Sequence, residues 1–261
     1  MVAGDREHGT PGAETGGERP SGADGRGDGA PRRIPEATVV RLPIYERLLA
    51  ELLRSGHPTV SSEQLATLAR LNAAKVRKDL SLLGSFGTRG TGYDTAFLLA
   101  QIQRALGVDR DWPVAIVGIG NLGRALVNSE GFSSHGFRVT ALFDASPSVV
   151  GTQVGPVIVR DITALTEMPP EDVPAIGVVA TPAAAAQSVT DLLVGIGVRS
   201  ILNFAPAVLT VPADVLLRYV DLSIELQVMS FYQARSADEA AATGPPIALL
   251  RSVGVGPAGP G

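Results

Sequence analysis

The sequence VAIVGIGNLGRALV occupies residues 114–127 and predicts the architecture of most of the chain. A wholly apolar run leads into a G-x-G-x-x-G pattern at Gly118, Gly120 and Gly123, and a helical pattern follows. In a strand–turn–helix unit, the first glycine permits the turn and the second lets the backbone approach a pyrophosphate. The third glycine allows the helix to pack closely on the strand. The stretch therefore predicts a dinucleotide-binding unit whose helix N-terminus faces the anion.

An acidic residue follows where such a unit binds ribose. Asp144 lies 21 residues after Gly123, at the end of the next predicted strand, and a carboxylate there can accept both ribose hydroxyls. No arginine or lysine follows in residues 145–148 to hold a 2′-phosphate, so NAD(H) is favoured over NADP(H). The predicted cofactor-binding residues around this turn are Gly118, Ile119, Gly120, Asn121, Leu122, Gly123 and Asp144.

The rest of this half alternates short apolar runs with helical stretches, which is typical of a parallel sheet covered on both faces. Ala180, Thr181, Pro182 and Asn203 follow two of these runs, at the sheet edge where such folds bind ligands. We predict that they line the ribose and nicotinamide. Each would also suit an ordinary strand-to-helix turn, and the same fold can hold another ligand such as coenzyme A.

Three helical patterns precede this region. Residues 41–54 place leucines and Tyr45 on one face. Ser61 and Gln64 form a capping-box pattern before a short helix in which Leu65, Leu68 and Ala69 are expected to be buried. A turn and a third helix follow, over residues 73–83. Two short helices joined by a tight turn predict a helix-turn-helix, whose second helix enters the DNA major groove.

The outward face of that second helix is predicted to bind DNA through Lys75, Arg77, Lys78 and Ser81. A glycine-rich basic segment, GSFGTRGTGYD, follows immediately and can form a β-wing with Arg89 at its tip, within reach of a minor groove or a phosphate. The alternative for the basic helix is an ordinary solvated helix, and the alternative for the glycine-rich segment is a flexible linker.

Charge is distributed unevenly along the chain. Residues 32–110 carry 12 basic and 7 acidic side chains, whereas the segments on either side are acidic and the whole chain has a formal net charge of -4. A basic block in an acidic chain indicates a nucleic-acid-binding module. With no cysteine, no run that could span a membrane and no signal-peptide pattern, we expect a cytoplasmic protein without a metal site.

Apolar side chains surround much of the last helical pattern, over residues 222–234, so this helix must be buried on several sides. It is a candidate for packing into a second subunit, or else lies inside its own domain. We expect disordered tails at residues 1–34 and 237–261, a winged-helix domain at 35–110, a Rossmann domain at 111–217 and a dimerisation helix at 218–236.

The sequence lacks the residue patterns of a hydride-transfer enzyme. The three histidines fall in the N-terminal tail, before a loop proline and in a loop, and no Tyr-x-x-x-Lys pair is present. We therefore expect no catalytic residues and favour a regulator that binds NAD(H). The alternatives are an NAD-dependent oxidoreductase, whose N-terminal helices serve as a dimerisation arm, and a coenzyme A-binding regulator.

Five segments together resemble the Rex family of redox-sensing transcriptional repressors. They are RLPIYERLL, VRKDLSLLGSFGTRGTGY, VGIGNLGRAL, ILNFAP and VDLSIELQVMSFYQ, within residues 35–233. The resemblance implies a winged-helix domain, a Rossmann domain and a homodimer in which each C-terminal helix is swapped onto the partner. It also implies binding to double-stranded operator DNA when NAD+ prevails and release by NADH.

The resemblance further implies that Arg47 and Asp221 act in switching. In the family a tyrosine commonly ends the first Rossmann helix, and Ser129 stands there in this chain. The departure concerns the nicotinamide side of the switch more than it concerns the fold.

Overall fold

The structure is a computed structural model and describes residues 34–84 and 92–242. An N-terminal helical domain is followed by an α/β domain and one long helix. Both ends of the chain, most of the predicted wing and Arg89 lie outside the described residues.

The helical domain is built around one apolar core. Its elements are α1 (Glu36–Val39), α2 (Leu42–Arg54), β1 (Thr59–Val60), α3 (Ser62–Ala69), α4 (Ala73–Leu83), β2 (Tyr93–Asp94) and α5 (Thr95–Leu106). The two short strands pair antiparallel on either side of the segment that contains the predicted wing. Tyr45, Leu49, Leu65, Val76 and Leu98 are fully buried between the helices.

Local sequence signals fix the helix-turn-helix. The predicted capping box at the start of α3 is confirmed: Ser61 Oγ accepts the Gln64 amide at 3.1 Å and Gln64 Oε1 accepts the Ser61 amide at 2.8 Å. Asn72 caps α4 by accepting the Ala74 amide at 2.7 Å. The predicted burial of Leu68 is wrong, because the buried stripe of α3 runs through Leu65 and Ala66, and Leu68 is half-exposed beside it.

The α/β domain contains a seven-stranded sheet. Its strands are β3 (Trp112–Val117), β4 (Phe137–Asp144), β5 (Gln153–Val154), β6 (Val157–Asp161), β7 (Ile176–Val179), β8 (Ser200–Asn203) and β9 (Leu216–Tyr219). The strand order is β5-β6-β4-β3-β7-β8-β9, and only the β5–β6 pair is antiparallel. Successive strands are added on one side of β3 as far as β6 and on its other side from β7 onward. The crevice between β3 and β7, where this order reverses, is the place where such folds bind ligands.

Helices pack on both faces of this sheet: α6 (Asn121–Val127), α7 (Glu130–Ser133) and α8 (Ala183–Gly195). Helix α8 buries Ala186, Val189 and Leu193 on one face. Helices α6 and α7 pack on the other face. No helix lies between β8 and β9, and beyond α7 that second face carries an apolar groove. The groove is lined by Val114, Phe132, Ile176, Val178, Leu202 and Leu216.

The C-terminal boundary differs from the predicted one. Strand β9 ends at Tyr219 and therefore crosses the expected domain boundary at residue 217. Helix α9 (Leu222–Ala242) continues six residues past the expected end at residue 236, because the alanine-rich segment there favours helix. Within the described residues, no helix is both long enough and apolar enough to cross a membrane.

Candidate functional site

The turn after β3 forms a close-fitting backbone cradle. Gly118 has φ +95°, and a Cβ there would lie 2.6 Å from the Ala180 carbonyl oxygen at the end of β7. A Cβ on Gly123 would overlap the Gly118 carbonyl oxygen, so α6 packs against the turn itself. A Cβ on Gly120, in contrast, would meet nothing within 4 Å. The cradle is therefore tight behind the turn and open in front of it, as a phosphate group requires.

Asp144 lies at the end of β4 and holds the glycine turn. Its Oδ2 accepts the Ile119 amide at 2.7 Å and its Oδ1 accepts the Ser146 amide at 2.8 Å. A carboxylate has about four acceptor positions, so two remain for hydroxyl donors. The sequence prediction placed this carboxylate at the ribose position, and the structure brings it against the same turn as Gly118 and Gly120.

Thr181 contributes a buried hydroxyl at the adjoining strand end. Its Oγ1 is one of two buried side-chain polar atoms without a hydrogen-bond partner within the described part of the chain. Its methyl group lies 3.0 Å from the position of a Cβ on Gly118. A buried polar group without a partner is costly, so this hydroxyl beside the cradle fits a polar ligand such as a dinucleotide.

Asn203 has a different environment. Its amide nitrogen donates to the carbonyl oxygens of Ala205 at 3.0 Å and Ala207 at 3.2 Å, and its Oδ1 accepts the Ala205 amide at 2.9 Å. Both amide hydrogens are therefore used within the chain. Asn203 shapes the turn after β8, at the same sheet edge as Thr181, and has no spare donor for a ligand.

The cationic face of α4 is exposed. Lys75, Arg77, Lys78 and Ser81 all point to solvent, whereas Val76 and Leu80 on the same helix are buried. Arg77 is also held in place, because its Nη1 donates to Glu63 Oε1 at 2.7 Å. Arg89, the fifth predicted DNA-binding residue, lies outside the described residues.

A buried acidic residue, Asp79, fastens α4 to the first two helices. Its carboxylate accepts Thr38 Oγ1 at 2.9 Å, Tyr45 Oη at 2.8 Å, and Arg41 Nε and Nη2 at 2.7 Å each. Burial opposes ionisation of Asp79, but the hydrogen bonds from Arg41, Tyr45 and Thr38 outweigh it and lower its pKa. Burial and the hydrogen bond to Asp79 raise the pKa of Tyr45 to about 12.

Sequence reasoning missed this network. The only local signal is an acidic residue on the otherwise apolar stripe of Val76 and Leu80, and the partners of Asp79 lie 34 to 41 residues away. Its consequence for the site is that the helix carrying the exposed cations has a fixed orientation in the domain.

Arg47 and Asp221 have separate surroundings within the single chain. Arg47 is exposed on α2 and lines a cavity between the two domains with Glu46, Leu106, Val108 and His135. Asp221 accepts the Ser223 hydroxyl at 2.7 Å and the Ser223 amide at 2.8 Å, and these hydrogen bonds lower its pKa and cap α9. Across residues 34–84 and 92–236, the ion pairs of this chain do not include one between these two side chains.

Metal chemistry has no evident site in this structure. The described residues contain no group of three or more histidine, cysteine, aspartate or glutamate side chains that could hold an ion.

Two family models match the chain. The model described as putative DNA-binding protein N-terminus matches residues 33–81, and the model described as CoA binding domain matches residues 109–207. The two matches correspond to the helical domain and the sheet domain.

Curated relatives cover nearly the whole described chain. The redox-sensing transcriptional repressor Rex of Streptomyces coelicolor is 56% identical over 235 residues, which is 88% of this chain and 91% of that protein. The Rex repressor of Streptomyces griseus is 57% identical over 80% of this chain and 82% of its own length. That of Syntrophomonas wolfei is 45% identical over 77% of this chain and 96% of its own length.

Solved structures agree with these matches. A structure described as RSP in complex with β-NAD+ and operator DNA is 33% identical, with a TM-score of 0.75 over 82% of this chain and 98% of that one. RSP in complex with β-NADH is 32% identical, with a TM-score of 0.71 over 78% of this chain and 96% of that one. Because the similarity spans both domains and α9, the chain belongs to the Rex family of redox-sensing transcriptional repressors.

Proposed function

We propose that this chain is a cytoplasmic homodimeric repressor that binds operator DNA when NAD+ prevails and leaves it when NADH binds. The observation that carries the proposal is the combination, in one chain, of an exposed cationic helix and a dinucleotide cradle at the edge of a parallel sheet. Members of this family are regulators rather than enzymes.

The cradle residues present suit NAD(H). The turn made of Gly118, Ile119, Gly120, Asn121, Leu122 and Gly123 would hold the pyrophosphate. Asp144 would accept the ribose hydroxyls, and Thr181, between Ala180 and Pro182, would donate or accept near the nicotinamide half. When bound, the dinucleotide supplies a nicotinamide ring that is positively charged in NAD+ and neutral in NADH. The chain distinguishes the two states through the shape and polarity around that ring.

Asp144 also discriminates against coenzyme A. The adenosine ribose of coenzyme A carries a 3′-phosphate, and a carboxylate at the ribose position would repel it. NAD(H) has free hydroxyls there and donates to the carboxylate instead. The match to a model named for coenzyme A binding is therefore consistent with the shared fold rather than with that ligand.

Helix α9 provides the dimer contact in this proposal. Leu222, Leu226, Met229, Phe231 and Tyr232 are each more than half exposed in the single chain. An apolar helix this exposed indicates a partner surface. The uncovered groove on β3, β7, β8 and β9 is apolar, so we assign each helix to the groove of the other subunit.

DNA recognition is assigned to α4. Lys75, Arg77, Lys78 and Ser81 would enter the major groove, with Arg89 of the wing at the backbone or minor groove. Two copies of α4 must lie about one DNA turn apart, roughly 34 to 36 Å, to bind both half-sites. A change in the relative orientation of the subunits changes that spacing and releases DNA.

Arg47 and Asp221 are assigned to the coupling between these sites. Arg47 lies on α2 beside the interdomain cavity, and Asp221 caps the N-terminus of α9, the helix assigned to the partner's groove. A pair between Arg47 of one subunit and Asp221 of the partner would join one DNA-binding domain to the opposite cofactor domain. NADH shifts the equilibrium only as far as it prefers the arrangement that does not bind DNA, typically by about 1 to 3 kcal/mol.

The test is DNA affinity measured with each nucleotide. A duplex selected by the protein from a random library is titrated in the presence of no ligand, NAD+, NADH or coenzyme A. We expect tight binding with NAD+, at least fivefold weaker binding with NADH and no response to coenzyme A. Equal affinity with NAD+ and NADH would contradict the sensing function, and failure to select any sequence would contradict the repressor function.

A further inference from the structure

Among the cations on the exposed face of α4, Arg77 has a fixed position. Its Nη1 donates to Glu63 Oε1 at 2.7 Å and to Ser62 Oγ at 3.0 Å. The structure records no ion pair or hydrogen bond for the ammonium groups of Lys75 and Lys78 with any described residue. Arg77 is thus held by α3, whereas the side chains of Lys75 and Lys78 can adjust their positions to reach a phosphate.

The acceptors that hold Arg77 are themselves fixed. Ser62 and Glu63 form the first turn of α3, directly after the capping box at Ser61. Ser62 is buried, and its hydroxyl donates to the second carboxylate oxygen of Glu63 at 3.2 Å. Hydrogen bonds from the backbone and from Ser62 lower the pKa of Glu63, so the carboxylate remains charged at neutral pH. The site that receives Arg77 is therefore formed without any contribution from DNA.

The free side of the guanidinium has the geometry that reads guanine. A guanidinium has five donors in a rigid plane, and both hydrogens of Nη1 are used by Glu63 and Ser62. Nε and Nη2 make no hydrogen bond within the described residues. These two nitrogens form a parallel fork, which matches the O6 and N7 acceptors of guanine in the major groove.

Stability does not explain the pair between Arg77 and Glu63. The side chains are 52% and 67% exposed, and ion pairs this exposed contribute little to folding. A carboxylate beside a DNA-binding face also repels phosphate and lowers affinity for every sequence. Another effect of Glu63 is to orient Arg77 before binding, which reduces the entropy that a long side chain loses on binding.

We infer that Glu63 is a specificity-determining positioning residue, which orients Arg77 through Nη1 so that Nε and Nη2 read a guanine, while Glu63 itself does not contact DNA. This inference rests on the proposed function, because it requires that α4 enters the major groove.

The experiment measures discrimination between two duplexes. A random library of about 20 base pairs covers two half-sites one turn apart, and the wild-type protein with NAD+ selects one duplex from it. The ratio of affinities for this duplex and for a shuffled duplex of equal composition is then measured for Glu63→Ala, Glu63→Gln, Arg77→Ala and the double variant Glu63→Ala with Arg77→Ala. Glu51→Ala is the matched control, because it removes an exposed carboxylate paired with Arg54 on a different helix.

We expect Glu63→Ala to lower the ratio roughly twofold to tenfold, with an unchanged melting temperature. Glu63→Gln, which keeps an acceptor for Nη1, lies nearer to wild type. In the Arg77→Ala background, removal of Glu63 has no further effect on the ratio. The control keeps the wild-type ratio.

Each other outcome has a distinct meaning. If Glu63→Ala and Glu63→Gln both raise affinity for the two duplexes equally, Glu63 acts only through its charge and the inference is overturned. If Arg77→Ala leaves the ratio unchanged, Arg77 does not read bases, and the inference is overturned while the proposed function stands. If the wild-type protein selects no sequence, the proposed function fails and the inference fails with it.

Discussion

Asp79 is a buried carboxylate on the helix whose opposite face carries the cations assigned to DNA. Three side chains donate to it, Thr38 from α1, Tyr45 from α2 and Arg41 from the link between these helices, so its charge is compensated inside the domain. Removing one member of such a network leaves the others without partners and destabilises a protein by several kcal/mol. The position of the helix assigned to DNA recognition thus depends on one acidic side chain that is buried inside the domain.

This dependence predicts a pH effect. Since the folded-state pKa of Asp79 is below its ordinary value, its ionised form stabilises the fold above about pH 4, and this stability is lost as pH falls through the folded pKa. We expect Asp79→Asn to lower the free energy of unfolding at pH 7 by about 3 kcal/mol. The difference from wild type should shrink as pH falls toward 3.

Urea unfolding followed by circular dichroism across this pH range gives the measurement. The control is Asp111→Asn, which removes an exposed carboxylate paired with Arg138 and should have a small effect at every pH. A difference for Asp79→Asn that stays constant down to pH 3 would contradict the assignment of the stability to its ionised form.

Substitution of Asp144 tests the proposed NAD(H) site. We expect Asp144→Ala to weaken NADH binding roughly tenfold to a hundredfold, because a hydrogen bond to a charged group contributes about 1.5 to 3 kcal/mol. DNA binding without nucleotide and dimerisation should remain. Calorimetry measures the affinity.

The matched control for that measurement is Asp161→Ala. Asp161 pairs in register with Asp144 at the end of the neighbouring strand, and within the described residues its side chain accepts hydrogen bonds from Thr163 and none from the glycine turn. Equal losses for the two variants would show that any carboxylate at this sheet edge has the same effect, and Asp144 would then have no specific role at the ribose.

At the scale of elements, the sequence was most informative where a pattern is local. The capping box of α3, the glycine turn after β3 and the alternation of strands and helices could all be predicted, because each depends on residues close together in the chain. Strands β5 and β9 and the short helix α1 were not predicted. Their two to four residues are too few to show a periodic signal. Strand β9 and helix α1 also depend on contacts with segments farther away along the chain, whereas β5 forms a tight hairpin with β6.

The same reasoning explains which parts of the site escaped prediction. The Thr181 hydroxyl was expected at the sheet edge, but its lack of a partner follows from the packing of β7 against the glycine turn. Asn203 lies at the expected sheet edge, and the hydrogen bonds of its amide to the turn after β8 were not predicted. The direction and hydrogen bonds of a side chain at a strand end depend on the loop that follows. The hydrophobic pattern of the strand alone does not determine them.

The exposed apolar surface of helix α9 predicts that the dimer depends on this helix. Leu226 is 64% exposed in one chain, and in the proposed dimer it would be buried in the groove of the partner. We expect Leu226→Glu to raise the dissociation constant of the dimer at least a hundredfold, since each of the two copies loses about 1.5 kcal/mol or more of apolar burial. Sedimentation equilibrium measures the dissociation constant.

Gln233→Glu is the control for that experiment, because it introduces the same charge on α9 at a position that is already polar. A Leu226→Glu protein that remains dimeric at wild-type concentrations would rule out α9 as the main contact between subunits.

For the whole molecule, coupling depends on how rigidly the two domains are joined. Only residues 107–111 separate α5 from β3, and Trp112 Nε1 donates to the Gly107 carbonyl oxygen at 2.7 Å across this link. Glu46 on α2 also accepts Gln103 Nε2 at 2.9 Å and lies 3.6 Å from His135 of the sheet domain. These contacts join α2, which carries Arg47, to the sheet domain.

This arrangement predicts the phenotype of Asp221→Ala. The variant should bind NADH and DNA separately, yet lose less DNA affinity than wild type when NADH is added, because the proposed contact with the partner's α2 is gone. The measurement is DNA affinity with and without saturating NADH. Glu225→Ala, which removes an acidic side chain from the first turn of α9, is the control and should keep the wild-type ratio. An unchanged ratio in Asp221→Ala would show that coupling follows another path.

The apolar surface of α9 also makes stability a property of concentration. In the proposed dimer, the apolar side chains of α9 are buried only when a second subunit binds. Dilution therefore favours the dissociated chain, in which they are exposed, and a higher protein concentration favours the dimer. The melting temperature should therefore rise with protein concentration. In a cell the proposed dimer therefore implies a threshold of abundance, below which newly made chains remain monomeric and above which the dimer that binds DNA accumulates.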